Sequence, residues 1–371
     1  MLNASLQRTF SIAVKELLHI LRDPTTLFFT LFLPVMELFM LGYAIDTNVR
    51  NVRTVIFDEA GTQESRAFIR RFENTTDFKV VAQVYSEVEM SREIVAGRAR
   101  VGIKIPHDYS RKLEAGETAQ VLVLVDGTES SIAAEAVNVG NAIALQESLA
   151  RVLDGKPLPV ESRPRVLFNP DTRSANFFIP GLMVILCQMM GTMLSANAIV
   201  REKELGTLEQ LFMTPVRRGE LILGKMTPYV VLTVAEYCLI AFLMRTVFQV
   251  PINGSFVTLL MLALPFVLTM IGFGLLISTK ASTRDAASQM TMGTILPAIF
   301  LSGYVFPMDS MPWLFQWLGH CVPATWLIDA GRCIILRGGG WPELWVHALV
   351  LWGMAVGIIV FASAKMRKQL T

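Results

Sequence analysis

The sequence is short of charged residues. Lys, Arg, Asp and Glu make up 17% of the 371 residues, against roughly a quarter in an average soluble protein. Neither sign dominates, because the formal net charge is +2. The small net charge argues against a nucleic-acid-binding protein. The low charge, together with 53% hydrophobic residues and a mean hydropathy of +0.48, indicates a membrane protein.

Side chains that build metal and catalytic sites are also few. The four cysteines show no C-x-x-C spacing and the four histidines are scattered, so we expect no metal site. No Ser/His/Asp or Cys/His grouping stands out, so we expect no catalytic residue. Cys321 and Cys333 share one segment, and a disulfide between them is an open alternative if that segment faces an oxidising compartment.

Most of the charges lie in one segment. Residues 47–175 hold 17 of the 33 Lys/Arg and 18 of the 31 Asp/Glu, which is 35 of the 64 charged residues. The rest of the chain is apolar and divides into segments of membrane length. We therefore interpret the chain as a membrane protein that carries one charged domain.

A bilayer core of about 30 Å requires about 20 apolar residues in a helix. Six segments meet this requirement: Leu27–Ala44, Phe177–Ile199, Leu221–Val247, Phe256–Ser278, Ala287–Val305 and Leu344–Ala364. The fifth is weaker and contains Pro297. The first, within residues 24–46, has no convincing A-x-A cleavage site after it, so we interpret it as an uncleaved anchor rather than a signal peptide. The predicted fold class is a polytopic α-helical membrane protein with six transmembrane helices.

Basic residues of the short loops mark one side of this predicted bundle. They are Arg8, Lys15, Arg22, Arg201, Lys203, Arg217, Arg218, Lys280, Arg284, Lys365, Arg367 and Lys368. The opposite side has only Arg332 and Arg337 in its short connections. The positive-inside rule then places both termini in the cytoplasm and residues 47–175 outside.

Residues 1–23 carry apolar side chains at helical spacing with charged side chains between them. This pattern predicts an amphipathic helix in the cytoplasmic interface of the membrane. An early start of the first spanning helix is the alternative. Pro24 favours a break between the two helices.

Residues 47–175 alternate between strand and helix patterns, which predicts a small extracytoplasmic α/β domain between transmembrane helices 1 and 2. Its acidic residues Asp58, Glu59, Asp126 and Glu129 follow strands, where open α/β sheets often bind ligands. The alternative, which we favour, is that "DEAG" and "DGTE" are turns whose acidic residues serve backbone geometry.

The segment "GELILGK", Gly219–Lys225, fits the G-x-x-x-x-G-K pattern of phosphate-binding loops. Such a loop needs Ser or Thr after the lysine, and Met226 stands there. The segment also runs directly into an apolar span, and the chain offers no cytoplasmic strand that ends in a metal-binding aspartate. We interpret the match as accidental and expect no ATPase site in this chain.

Residues 200–220 predict a helix, a break and a second short helix. Gly206 suits the residue after a helix end, and Thr207 with Gln210 forms a capping-box pattern. The apolar face of the second helix would consist of Leu208, Leu211 and Phe212, and Pro215 would end it. An ordinary solvated loop is the alternative. The mixed charges around the helix favour a surface that docks another protein.

The stretch "REKELGTLEQLFMTPVRRGELILGK" resembles the motif of ABC type-2 exporter permeases, the membrane subunits of drug, lipid and polysaccharide exporters. "VIFDEAGTQESRAFIRRF" and "FPMDSMPWLFQWLGHCVPATWLIDAGRCIILRGG" resemble further segments of the long six-span bacterial branch. The resemblance covers nearly the whole chain. The positions that match the family motif are Arg201, Glu202, Gly206, Thr207, Glu209 and Pro215.

This resemblance implies that the loop is a coupling helix that docks into a separate ATPase subunit, which binds ATP and Mg²⁺. The expected contact residues are Arg201, Glu202, Glu204, Gly206, Thr207, Glu209, Leu211 and Pro215. A second contact is expected at Lys15, Glu16 and Arg22, and a third in the loop Ser282–Ala287. The resemblance further implies a bacterial inner-membrane permease that pairs with a second permease, and its subgroup implies a periplasmic adaptor protein.

Two groups of residues bear on the transport path. Glu37 and Glu236 lie inside predicted spans, where a carboxyl group is costly, so both are translocation-path candidates. For Gln188 and Asn197 we favour hydrogen bonds that hold helices together. Residues 306–341 are too broken for a span and too apolar for a free loop. They predict short re-entrant helices at the outer leaflet, which the resemblance implies form a lid.

Two other classes of protein compete with a permease. A membrane-anchored sensor whose external domain binds a ligand has the same layout, but the chain offers no cytoplasmic signalling domain. A membrane-embedded enzyme is disfavoured because no catalytic residues cluster in the sequence.

Overall fold

A computed structural model describes residues 2–24, 28–44, 51–75, 77–128, 130–153, 167–206 and 218–369. It divides into two compact units. The first, called the membrane unit here, comprises residues 1–45 and 166–371, and the second, the α/β unit, comprises residues 46–165.

The described elements follow in chain order. The first half comprises α1 (Leu2–Leu21), a π-helical turn (Phe28–Phe32), α2 (Leu33–Ala44), β1 (Val52–Asp58), α3 (Gln63–Glu73), β2 (Phe78–Gln83), α4 (Glu87–Val95), β3 (Val101–Ile105), α5 (Tyr109–Glu114), β4 (Leu122–Val125) and α6 (Ser130–Leu153). The second half comprises α7 (Ser174–Glu204), α8 (Arg218–Thr246), α9 (Phe256–Lys280), α10 (Arg284–Leu301), a 3₁₀ turn (Met308–Ser310), α11 (Trp313–His320), α12 (Pro323–Arg332), a second π-helical turn (Cys333–Arg337) and α13 (Trp341–Gln369).

The membrane unit is built of apolar helices. Within the described residues, four are long and apolar enough to cross a bilayer, and they are segments of α7, α8, α9 and α13. The predicted first and fifth spans correspond to a shorter apolar helix, Thr30–Tyr43, and to α10. The helices therefore agree with a polytopic membrane protein, and the count of six spans stays a prediction.

The fifth predicted span lies in α10. This helix begins at Arg284, three residues before Ala287, because the Thr283 hydroxyl accepts a hydrogen bond from the Ala286 N–H and caps the helix. Pro297 lies inside this helix without ending it. Gly303, with φ +77°, lies in the turn that follows.

Helix α7 lies at the centre of the membrane unit, where most of its residues are buried. It crosses α9 so closely that a Cβ on Gly274 would collide with Ser195 Oγ and with the Thr192 carbonyl. On another face, a Cβ on Gly191 would lie 3.4 Å from Thr233 Cγ2 of α8. Small residues at these two positions let the backbones approach, as is common where membrane helices pack.

Residues 306–341 form short helices, as the sequence predicts. α12 carries Arg332, whose guanidinium donates hydrogen bonds to the carbonyls of Phe177, Gly303 and Tyr304 and lies 3.8 Å from the centre of the Phe177 ring. It thereby joins α12 to the start of α7 and to the turn after α10. All four cysteines are free, so Cys321 and Cys333 are not paired in this structure.

The α/β unit contains a four-stranded sheet in the order β2–β1–β3–β4. β1 pairs in parallel with β2 and β3, and β4 is antiparallel to β3. Strands and helices alternate along this unit, as the sequence pattern predicts. One core of this unit includes Ile56 and Ile103 of the sheet with Phe68 and Phe72 of α3.

The acidic residues after the strands stabilise turns. Asp58 accepts hydrogen bonds from the N–H groups of Ala60 and Gly61 and from the Ser65 hydroxyl. Asp126 accepts two from Thr128 and one from Arg100, at 2.5 Å, and these bonds lower its pKa to about 2. Both carboxylates thus serve the turns, which is the interpretation that the sequence favours. Glu129 lies outside the described residues.

Candidate coupling site

The predicted coupling segment leaves α7 at a left-handed glycine. α7 ends at Glu204, Leu205 caps it, and Gly206 has φ +67°, a conformation that glycine adopts without strain. The described chain resumes at Arg218, the first residue of α8. The predicted contacts Thr207, Glu209, Leu211 and Pro215 lie between these points, outside the described residues. The described residues on either side of this segment form a set of ion pairs and hydrogen bonds.

Lys225 of α8 is the centre of a buried ion cluster. Its ammonium nitrogen lies 2.9 Å from Glu16 Oε1 of α1 and 2.7 Å from Glu202 Oε1 of α7. Lys225 is only 3% exposed and Glu16 only 7%. One side chain therefore joins three helices, immediately before and after the predicted coupling segment.

Gly224 explains why α1 comes so close to α8. A Cβ at this position would lie 2.8 Å from Ile12 Cβ and 2.9 Å from the Thr9 carbonyl oxygen, closer than such atoms pack. The absence of a side chain lets α1 lie against α8, which brings Glu16 within reach of Lys225. Gly224 thus allows the two helices to pack closely, and Lys225 supplies the charge that binds the two carboxylates.

Glu220 forms a second link between α8 and α1. Its Oε1 atom accepts a hydrogen bond of 2.6 Å from the Ser5 hydroxyl and lies 3.2 Å from the Arg8 guanidinium. Glu220 is buried, whereas Arg8 remains about two-fifths exposed. The first two turns of α8 are therefore bonded to α1 at two levels.

The end of α7 is also tied to the junction of α9 and α10. The Lys203 ammonium donates hydrogen bonds to the carbonyls of Ser278 and Ala281. Glu204 accepts a 2.8 Å hydrogen bond from the Arg284 N–H and lies 3.2 Å from the Arg284 side chain. The loop Ser282–Ala287, predicted as a third partner contact, thus lies beside the end of α7.

Some of the predicted site residues form internal ion pairs, and others are exposed. Glu202 and Glu204 at the end of α7 pair with different partners, Lys225 and Arg284, and Glu16 points inward to Lys225. Lys15 of α1 and Arg22, directly after α1, are exposed, and Arg201 is half-buried. The sequence did not indicate the site residues Lys225, Glu220, Ser5 and Arg8. Most of their pairs join residues more than 200 positions apart, and only Glu202 and Lys225 are closer, at 23 positions.

Such buried ions stabilise a structure only as a set. Attraction and hydrogen bonds offset the loss of hydration, but removal of one member leaves another charge buried and typically costs about 3–5 kcal/mol. The cluster therefore holds α1, α7 and α8 in one arrangement. In "GELILGK", Gly219 through Lys225 are helical and Lys225 binds two carboxylates, which differs from the arrangement of a phosphate-binding loop.

The two path candidates lie elsewhere in the membrane unit. Glu236 of α8 is 1% exposed, and neither carboxylate oxygen has a hydrogen-bond partner among the described residues. Glu37 of α2 is half-buried. The amide oxygens of Gln188 and Asn197 also lack partners within the described part of the chain. For these two oxygens the predicted interhelical hydrogen bonds are absent there.

The protein has helices of membrane length and an inserted α/β unit, and ion pairs join α1, α7 and α8. These are features of a membrane transport subunit. Residues 24–364 match the model of the ABC-2 family transporter proteins. Since the match covers most of the chain, the protein belongs to this family. It is a transporter permease, as the sequence resemblance indicates.

Curated relatives agree with this assignment. The chain is 30% identical to the probable multidrug ABC transporter permease YbhS of Escherichia coli K12, over 99% of this chain and 98% of that protein. It is 28% identical to the probable multidrug ABC transporter permease YbhR of the same organism, over 91% and 93% of the two chains. It is also 28% identical to the E. coli inner membrane transport permease YhhJ, over 99% and 98%.

Proposed function

We propose that this chain is the permease subunit of an ATP-driven exporter. It moves an amphipathic, lipid-like or drug substrate out of the cytoplasm or the inner leaflet. A separate ATPase subunit binds ATP and Mg²⁺ and acts on the permease through residues 201–215. The family supports the need for an ATPase partner and a second permease, and the names of YbhS and YbhR support a drug-like substrate.

The buried cluster around Lys225 is the observation that carries the coupling proposal. A force on the segment between Gly206 and Arg218 reaches α7 through Glu202 and α8 through Lys225. The same force reaches α1 through Glu16, because the three charges form one hydrogen-bonded unit. Through Glu204 and Arg284 it also reaches α10. ATPase closure therefore moves several helices together instead of bending one loop.

The remaining features of the proposal follow from the distribution of charge. The end of α7 and the start of α8 face the cytoplasm of a bacterium, with both termini on the same side, because the basic short loops lie there. The α/β unit then lies outside, where a periplasmic adaptor would meet it. Lys15 of α1 and Arg22, directly after this helix, are exposed and would supply a second contact with the ATPase. Family membership favours this function over a membrane-anchored sensor.

The direct test is purification of the tagged permease from its own organism, followed by identification of a co-purifying ATPase. The variant Glu209→Lys reverses a charge in the predicted docking segment. A matched control, Glu114→Lys with Glu117→Lys, reverses two exposed charges of the α/β unit. We expect Glu209→Lys to lower ATPase recovery and export at least tenfold, and the control to leave both unchanged.

A second variant separates docking from folding. Glu202→Lys also breaks the pair with Lys225, so it should lower both the thermal midpoint and the recovery of ATPase, whereas Glu209→Lys should lower recovery alone. The coupling proposal fails if the permease purifies without an ATPase and the doubly reversed Glu202→Lys, Glu209→Lys chain still supports full export.

A further inference from the structure

Several buried oxygen atoms on α7 and α8 have no hydrogen-bond partner among the described residues. Gly191 of α7 faces Thr233 of α8, and Glu202 of α7 pairs with Lys225 of α8, so the two helices run antiparallel. Gln188 lies one turn before Gly191 on α7, and Glu236 and Tyr237 lie one turn after Thr233 on α8. Because the helices are antiparallel, these three residues lie at the same level. Both helices are in the middle of their apolar lengths at this level.

The side chains of Glu236, Gln188 and Tyr237 are buried, and their oxygen atoms have no hydrogen-bond partner among the described residues. Glu236 is 1% exposed, Gln188 5% and Tyr237 0%. Both carboxylate oxygens of Glu236, the amide oxygen of Gln188 and the phenol oxygen of Tyr237 have no hydrogen-bond partner among the residues that the structure describes. Each such group costs about 1–3 kcal/mol, and an unpaired carboxylate costs more.

The charged and titratable neighbours of Glu236 do not supply the missing partner. Glu37 on α2 and Cys187 on α7 are close enough for electrostatic interaction with it. Tyr237 and Cys238 follow it on α8. None of these groups is a cation, and a second carboxylate makes an ionised Glu236 less favourable still. On the same helix, Arg245 lies about two and a half turns after Glu236 and is exposed, and Lys225 lies about three turns before it and binds Glu16 and Glu202.

A cation would satisfy this arrangement. Carboxylate, amide and phenol oxygens are all acceptors, and oxygen atoms are the ligands that hard cations prefer. An ammonium group would donate N–H bonds to the same atoms. A positive charge would also stabilise Glu236 in its ionised form, which the apolar surroundings otherwise oppose.

We propose that Glu236, Gln188 and Tyr237 form a binding site for a monovalent cation in the middle of the membrane unit. The cation is either the ammonium head group of an amphipathic amine or a free alkali-metal ion. Glu37, which is half-buried, is the second carboxylate and makes the α2 side the route of entry. The link to substrate rests on the proposed export function, whereas binding of the cation itself does not.

The test is thermal unfolding of the full-length permease in neutral detergent. One series replaces choline chloride by NaCl at constant ionic strength. A second series adds dodecylammonium chloride, with dodecanol as the uncharged comparison. We expect a saturable rise of the unfolding midpoint with one of the two cations, and at least a tenfold weaker apparent affinity in Glu236→Gln.

Control variants separate the site from general packing. Thr233→Val removes a hydroxyl that donates to the Tyr229 carbonyl of its own helix, at 2.8 Å, and should leave cation affinity unchanged. Tyr237→Phe keeps the carboxylate and removes one oxygen, so it should weaken binding about tenfold, the worth of one hydrogen bond to a charged group. This variant keeps the test valid if Glu236→Gln does not fold.

Each outcome decides one point. A response to sodium alone identifies an ion site, and a response to dodecylammonium but not to dodecanol identifies a head-group site. If neither cation shifts the midpoint, or if Glu236→Gln or Tyr237→Phe responds exactly as the unchanged protein does, the cation site is wrong and Glu236 is a neutral acid. That failure leaves the export proposal standing, because co-purification of an ATPase tests residues 201–215 instead.

Discussion

Lys225 and Glu16 are 209 positions apart in the sequence, yet the Lys225 ammonium nitrogen lies 2.9 Å from a Glu16 carboxylate oxygen. The same nitrogen lies 2.7 Å from Glu202. The N-terminal helix is thus joined to the end of α7 and to the start of α8, which flank the segment that we propose to contact the ATPase.

The first prediction concerns Lys225→Met. The change leaves Glu16 and Glu202 facing each other without their shared cation, so we expect the free energy of unfolding to fall by about 3–5 kcal/mol. Unfolding of the purified protein in detergent measures it. Lys15→Met, at an exposed neighbour of Glu16, should change this free energy by less than about 0.5 kcal/mol. Addition of Glu16→Gln to Lys225→Met should recover part of the loss, and equal stability of Lys225→Met and Lys15→Met would contradict the cluster's role.

The second prediction concerns the closeness of α1 and α8. Gly224→Ala places a methyl group 2.8 Å from Ile12 Cβ, so α1 must move away. We expect a loss of about 1–3 kcal/mol in unfolding free energy, the usual cost of overpacking. Gly219→Ala is the matched control on the same helix, because its Cβ would meet no described atom within 4 Å. Similar midpoints for the two variants would show that α1 packs differently.

The third prediction concerns Arg332→Lys. Lysine keeps the charge but lacks the planar fork that reaches the carbonyls of Phe177, Gly303 and Tyr304 together. We expect the unfolding free energy to fall by about 2–3 kcal/mol, because carbonyls that were bonded to a charged donor lose it. Arg337→Lys serves as the control, since Arg337 takes no part in these contacts. An unchanged thermal midpoint in Arg332→Lys would refute this account.

The fourth prediction concerns the pKa of Asp126, about 2 in the structure. The Thr128 hydroxyl is its largest cause, followed by the Thr128 N–H and Arg100. Thr128→Val and Arg100→Met should therefore each raise this pKa toward the usual value of about 3.9. NMR of ¹³C-labelled aspartate carboxyl groups measures it, with Asp126→Asn to assign the signal.

The sign of the associated pH dependence follows from this lowered pKa. Because the folded state holds the carboxylate, Asp126 stabilises the α/β unit fully above the unfolded pKa of about 3.9. That contribution is lost as the pH falls toward about 2. If the Asp126 signal instead titrated near pH 4 in the unchanged protein, the turn would not have the hydrogen bonds described.

The elements of the α/β unit could be predicted from the sequence because each has its own local pattern. β1 and β3 alternate with helices whose starts carry caps, such as Thr62 before α3 and Ser86 before α4. The left-handed Gly206 was predictable for the same reason, since a glycine after a helix rich in charge is a local signal. Register and sheet order needed the structure, because they depend on which distant segments pair.

The role of Lys225 could not be predicted from its neighbours. Its segment matches a phosphate-loop pattern, and rejection of that match left the lysine without a function. Its two carboxylate partners come from α1 and α7, and nothing near Lys225 in the sequence indicates them. The unpartnered oxygens of Gln188 and Glu236 were equally hidden, because a polar residue in an apolar span looks the same whether it is bonded or not.

The close crossing of α7 over α9 has a mechanical consequence. The contact at Ser195 and Gly274 divides α7 into an arm of nine residues toward Glu204 and an arm of 21 residues toward Ser174. At 1.5 Å per residue these arms are about 14 Å and about 32 Å long. A rigid α7 that tilts about this contact would therefore move its Ser174 end roughly twice as far as its Glu204 end, and in the opposite direction.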